Sequence, residues 1–166
     1  NNSWGYNEAI VAPDVLVSVI ERATAEGRGG LGSVVVFAAG NDNREIINGE
    51  MCGLPSVICA SAINSYGQPT NYTNYGAAID IAAPSATVSI APDNDLTVYF
   101  GGTSAAAPVL SGIAAWILSV KPNLTEEEIR DILIHSSDPS PLVQSDENGH
   151  HPKYGYGIIN TAKIIN

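Results

Sequence analysis

The chain has 166 residues, a formal net charge of −10 and 45% hydrophobic residues, with 16 glycines and 10 prolines. That is one domain's worth of chain, able to bury a core, and its acidity argues against nucleic acid as a partner, because phosphate binding needs a basic surface. No apolar run reads as long enough to cross a membrane, which argues against a membrane partner, while cationic peptides would be favoured on approach.

In chain order, Trp4 reads as a core aromatic. Asp14 is placed to cap a helix running to about residue 26, with Val15, Leu16, Val19, Ile20 and Ala23 on one face. Gly27 follows as a left-handed stop. Residues 33–39 form a continuous apolar run. A strand without alternation is buried on both faces, as in a parallel sheet covered by helices. It ends at Gly40-Asn41-Asp42-Asn43, the kind of carboxyl edge where open α/β sheets place ligands.

Glu45 and Glu50 in the following loop read as a solvated face. Cys52 and Cys59 form neither a zinc pattern nor a disulfide framework. They either pair with each other or stay reduced; two buried free thiols is the favoured reading, and the compartment stays open. Residues 57–62 and 78–83 read as further buried strands. Thr87–Ile90 and Leu96–Phe100 flank the turn residues Pro92-Asp93-Asn94-Asp95 and read as a hairpin. Asn71-Tyr72-Thr73 and Asn123-Leu124-Thr125 are formal glycosylation sequons. Thr125 and Glu128 form a capping box for a helix that turns Ile129, Ile132 and Leu133 inward. Residues 136–153 read as a polar surface excursion, and residues 154–160 lead into a short final helix.

The segment with the most chemistry is Gly101-Gly102-Thr103-Ser104-Ala105-Ala106-Ala107-Pro108. Two glycines permit a tight turn, and the apolar run after them predicts a buried helix. Ser104 then sits at a helix N-terminus, where unpaired N–H groups and the helix dipole favour negative charge. Acyl transfer needs both a hydroxyl that attacks and N–H groups facing the oxyanion. The competing reading is Ser104 as an ordinary N-cap.

Gly102-Thr103-Ser104-Ala105-Ala106-Ala107-Pro108 resembles the nucleophile motif of the subtilisin-like serine proteases. Asn2-Ser3-Trp4-Gly5, Ala38-Ala39-Gly40-Asn41, Asn74-Tyr75-Gly76, Ala82-Ala83-Pro84 and Tyr156-Gly157 are similar to family motifs in the same order. Gly27-Arg28-Gly29-Gly30-Leu31-Gly32-Ser33 resembles the kexin and furin branch. The resemblance implies an α/β fold, a subtilisin-like parallel sheet flanked by helices, of which residues 1–166 are the C-terminal half with no internal boundary. It implies a serine endopeptidase with Ser104 as nucleophile and the Asn41 amide as oxyanion donor. It places substrate contacts at Ser3, Trp4, Gly5, Ala39, Gly40 and Thr103, with the backbone of residues 3–5 pairing with extended peptide.

The resemblance also implies a cis proline near Pro55, and Ser85 stands where the family usually has glycine. Kexin and furin relatives line their specificity pocket with aspartates from the loop after Arg44, and none here is placed to match. The family's catalytic acid and histidine precede the substrate strand. His135, His150 and His151 all follow Ser104, and Asp42 and Asp80 do not match the family's acid. The expected partners are a peptide or protein substrate and an N-terminal segment of the same protease supplying Asp and His. Structural calcium occurs in the family, but no carboxylate cluster marks a site and no cofactor is assigned. A secreted location follows by resemblance alone. The alternative is a non-catalytic protease-like module or processed fragment that binds peptides or protein partners.

Overall fold

The computed structural model describes residues 1–5 and 7–164. Its elements are α1 (Asp14–Gly30), β1 (Val36–Ala38), β2 (Ile58–Ile63), β3 (Ile81–Pro84), β4 (Thr87–Ile90), β5 (Leu96–Phe100), α2 (Thr103–Val120), α3 (Glu126–His135), β6 (Ser137–Asp138) and β7 (Ile158–Ile159). Five strands make one sheet in the order β1-β2-β3-β7-β6. β1, β2, β3 and β7 run parallel, and β6 is antiparallel to β7. β4 and β5 form the expected hairpin. Outside β1, Asn2 adds a parallel bridge: its N–H donates to the Val36 carbonyl, and the Ala38 N–H donates to its carbonyl, both at 2.9 Å.

Strand alternation assigns the two faces. Val36, Ile58, Ala60 and Ile81 pack on one side against Ala106, Ala107, Leu110 and Ala114 of α2 and Ile129 and Leu133 of α3. Phe37 and Cys59 face the other side, where Leu16, Val17 and Ile20 of α1 cover them. The parallel sheet flanked by helices is therefore as the sequence predicts, and so is the capping box, with Thr125 and Glu128 each accepting from the other's backbone N–H.

Several expectations are corrected. Val15 and Val19 are exposed, because α1 turns Leu16, Val17 and Ile20 to the sheet instead. Pro13 is the N-cap of α1 and Asp14 makes no side-chain cap; as the first residue it meets the positive end of the helix dipole. Gly27 is extended rather than left-handed, and Arg28 and Gly29 take the left-handed conformation. No cis peptide occurs among the described residues, so the bond before Pro55 is trans. Cys52 and Cys59 are a disulfide, not free thiols: the short helical turn at Met51–Gly53 brings their Cα atoms to 5.1 Å, within bridging range. Residues 136–153 begin buried, with Ser137 in β6 donating to the Leu133 carbonyl and Ser140 accepting from the Leu142 N–H. Finally, α2 is long and apolar enough to cross a membrane by length and composition. It is nonetheless the central core helix, with Ala105, Ala106, Ala107 and Leu110 fully buried on the sheet.

At the end of the sheet away from Ser104, Asp80 accepts from the Cys59 N–H at 2.7 Å and pairs with Arg130, which also pairs with Glu126. Burial pushes the Asp80 carboxyl up, against the opposing pull of Arg130. A raised folded-state value favours the protonated fold, so this contribution to stability is present in acid and is lost as pH rises through that value. Asp80→Asn is therefore expected to lose less stability than wild type between about pH 4 and pH 7. Denaturant melts of both proteins across that range would measure the difference.

Candidate active site

β1 and α2 build the site between them. The turn after β1 places Asn41, and the glycine pair before α2 delivers Thr103 and Ser104 beside it. Gly102 is the N-cap of α2 at φ 75°, ψ 178°, and no side chain caps this helix. Ser104 is therefore not an N-cap. Among the described residues neither its hydroxyl nor its backbone N–H has a hydrogen-bond partner in the protein, and its side chain is only partly buried. The departure at Ser85 has a local reason: its hydroxyl donates to the Gly102 carbonyl at 2.9 Å and meets the Tyr72 hydroxyl, holding the turn before the helix.

Asn41 is oriented by Thr103. The Thr103 N–H donates to Asn41 Oδ1 at 2.9 Å, and the Thr103 hydroxyl lies 3.1 Å from the same oxygen. A backbone N–H only donates, so the atom facing it must be the amide oxygen. That leaves Nδ2 as the free end, with no acceptor among the described residues. Thr103 itself is fully buried, and its hydroxyl accepts from the Gly40 N–H at 3.1 Å.

Asn74 holds the same turn from below. Its Oδ1 accepts from the Asp42 and Arg44 N–H groups at 2.9 and 3.2 Å, and its own N–H donates to the Gly40 carbonyl. Gly40 sits at φ 99°, and a Cβ there would lie 2.4 Å from Asn74 Nδ2, so only glycine fits. Asn74→Ala would strip the acceptor from two backbone donors and is expected to destabilise the protein by about 1–3 kcal/mol. Chemical denaturation checks it.

These residues open onto a cavity of about 280 Å³. Ser3, Trp4, Gly5, Ala39, Gly40, Asn41, Thr103 and Ser104 all line it, so every site residue singled out in the sequence comes together. Trp4 is not in the core: it is 49% exposed and stands edge-on to Phe37 at the cavity wall. Residues 3–5 are exposed, and beyond Asn2 their backbone N–H and carbonyl groups have no partner among the described residues. An extended peptide can pair with such an edge.

Arg44 and Glu50 also line the cavity. Contrary to the solvated reading, Glu50 is largely buried and takes both Arg44 Nη atoms, at 2.8 and 2.7 Å. None of the three histidines lines this cavity. His150 Nε2 lies 2.8 Å from the Ile79 carbonyl, His151 Nδ1 accepts from the Lys153 N–H, and His135 Nδ1 lies 2.7 Å from the Asp131 carbonyl. Burial holds the His151 ring below the ordinary imidazole value.

A sequence model of the subtilase family matches residues 1–157. The calcium-dependent protease of Trichormus variabilis (strain ATCC 29413 / PCC 7937) is 33% identical, over 96% of this chain and 28% of its own length. Furin of Homo sapiens is 31% identical, over 87% of this chain and 20% of its own length. The chain thus spans about a quarter of the length of the curated relatives it matches. Among solved structures, a protease from Pseudoalteromonas arctica PAMC 21717 superposes with a TM-score of 0.75 at 29% identity, over 95% of this chain and 47% of that one.

Proposed function

The chain belongs to the subtilase family, and from that premise we propose that it is the C-terminal part of the catalytic domain of a serine endopeptidase whose nucleophile is Ser104. The observation that carries this reading is the Asn41 amide, held at its oxygen by Thr103 with its N–H end free one residue from Ser104. In this mechanism Ser104 Oγ attacks the scissile carbonyl and its proton passes to a base. The developing oxyanion lies between Asn41 Nδ2–H and the Ser104 N–H, two donors in place before the charge forms. Collapse breaks the C–N bond as the base returns the proton to the leaving amine, and the acyl-enzyme that remains is hydrolysed by water.

The base and the acid that orients it come from an N-terminal segment of the same protease, since no histidine lines the cavity of this chain. The open surface supports such a partner. Trp116 and Val120 of α2 and Val15 and Val19 of α1 are exposed, and Asn2 offers a strand edge beyond β1. Apolar patches and free sheet edges of this kind are covered in a finished fold. No residue here is assigned to calcium, and among the described residues no three Asp, Glu, His or Cys side chains gather.

The 166-residue chain on its own is accordingly expected to hydrolyse peptides poorly. The residual catalysis left when members of a serine triad are removed, singly or together, is roughly 10³–10⁴-fold over water. Turnover of a peptide p-nitroanilide by the chain, alone and with its N-terminal segment added, tests this. Full protease activity of the chain alone would overturn the shared-triad part of the reading.

A further inference from the structure

The turn before α2 carries a chain of hydrogen bonds that starts outside the cavity and ends on the Asn41 amide. Tyr72 and Ser85, neither of which lines the cavity, are its first links. The Ser85 hydroxyl donates to the Gly102 carbonyl at 2.9 Å, and the Tyr72 and Ser85 hydroxyl oxygens lie 2.9 Å apart. A carbonyl only accepts and Ser85 has one hydroxyl proton, so that proton goes to Gly102 and Tyr72 donates to Ser85. The Gly102 carbonyl and the Thr103 N–H belong to one peptide group, and that N–H donates to Asn41 Oδ1 at 2.9 Å. The chain ends at Asn41 Nδ2–H.

Every bond in this series polarises the next in the same direction. A donor on the Gly102 carbonyl makes the Thr103 N–H a stronger donor, and a stronger donor on Oδ1 makes Asn41 Nδ2–H more positive. Amide resonance carries the effect across each planar group, and hydrogen bonds in chains strengthen one another. Resting on Asn41 being the oxyanion donor for Ser104, we propose that Ser85 is a positioning residue for the reaction, with Tyr72 behind it. The two hydroxyls hold and polarise the Gly102–Thr103 peptide and, through it, the Asn41 amide.

The surroundings suit that task. Ser85 is buried, and its N–H donates to the Ile63 carbonyl at the end of β2, so the sheet fixes where its hydroxyl stands. The Tyr72 ring packs against the core under α2, and its carbonyl accepts from the Asn43 N–H at 2.8 Å. The start of the chain is thus tied to the same turn that carries Asn41. The Gly102 carbonyl also accepts from the Ala105 N–H at 3.0 Å, so it keeps a partner when the Ser85 hydroxyl is removed. Ser85 is therefore not needed to satisfy the start of α2.

The test uses the natural full-length protein, a peptide p-nitroanilide and the matching peptide boronic acid. Boron accepts a lone pair from Ser104 Oγ, and the tetrahedral adduct holds an oxygen where the oxyanion forms. With about 10–30% of strength passed along per bond, and an oxyanion donor worth about 10²–10³ in kcat, Ser85→Ala should lower kcat about 2–8-fold. KM should stay constant and Ki of the boronic acid should rise by a similar factor; neither constant depends on how much of a variant folds. Ser85→Gly, the residue the family usually carries there, should do the same and serves if the alanine variant fails to fold. In an Asn41→Ala background, removing the Ser85 hydroxyl should change neither kcat nor Ki further, because its route to the oxyanion is gone. An equal loss in both backgrounds would make Ser85 a plain support of the turn and overturn the proposal. Unchanged kcat and Ki in both Ser85 variants would overturn it too, leaving the Asn41 reading intact. Should Asn41→Ala itself leave kcat unchanged, both readings fall.

Discussion

Replacing Ser104 by alanine in the natural full-length protein is expected to lower kcat by about 10⁶-fold with little change in KM. The hydroxyl makes no hydrogen bond that supports the fold among the described residues, and Gly102, not Ser104, caps α2. Alanine is also the best residue for a helix interior, so α2 should form as before. The loss therefore falls on chemistry and not on stability. Thermal melts of both proteins, run beside the kinetics, separate the two. An unchanged kcat would remove Ser104 from the reaction, and a collapsed melting curve would make it a structural residue.

Asn41→Ala is expected to lower kcat by about 10²–10³-fold and leave KM nearly constant. That size is borrowed from the one measured for an oxyanion-hole asparagine in subtilisin. The split between the constants follows from when the bond matters: Nδ2–H meets a weakly charged carbonyl in the ground state and a full oxyanion in the transition state. Asn41→Asp is a sharper variant. It keeps the acceptor that Thr103 holds at 2.9 Å but replaces the free N–H end with a second oxygen, which repels an oxyanion. It should be at least as damaging as alanine. Steady-state kinetics on one peptide substrate measure both. A variant that raised KM and kept kcat would place Asn41 in ground-state binding.

Much of this arrangement was legible in the residues. Buried parallel strands carry unbroken apolar runs, which exposes β2, although β1 is regular over only Val36–Ala38 of its longer run. The hairpin and the capping box are local devices, and both fall where their turn and cap residues stand. Ser104 and Asn41 stood out because each lies in a glycine-containing motif that resembles the family's, Gly102-Thr103-Ser104 and Ala39-Gly40-Asn41. What stayed hidden depends on contacts across the chain. A carboxylate such as Glu50 reads as solvated until Arg44 and the Ile47 N–H are seen to enclose it. The Cys52–Cys59 spacing says nothing of the helical turn that brings the two together. Asn74 was visible as part of a motif, but its work on Gly40, Asp42 and Arg44 needs the fold. Trp4 misled because an aromatic beside a strand end is as well suited to a cleft wall as to a core.

If Ser104 is an activated nucleophile beside a preformed pair of oxyanion donors, it reacts with electrophiles that mimic the acyl group. Fluorophosphonate labelling of the natural full-length protein, followed by mass spectrometry of its peptides, addresses it most directly, because the reagent reacts through the same attack and the same oxyanion as the substrate. One adduct per molecule is expected, on the peptide carrying Ser104, absent in Ser104→Ala and much slower to form in Asn41→Ala. Labelling at a different residue, or an undiminished rate in Ser104→Ala, would contradict it.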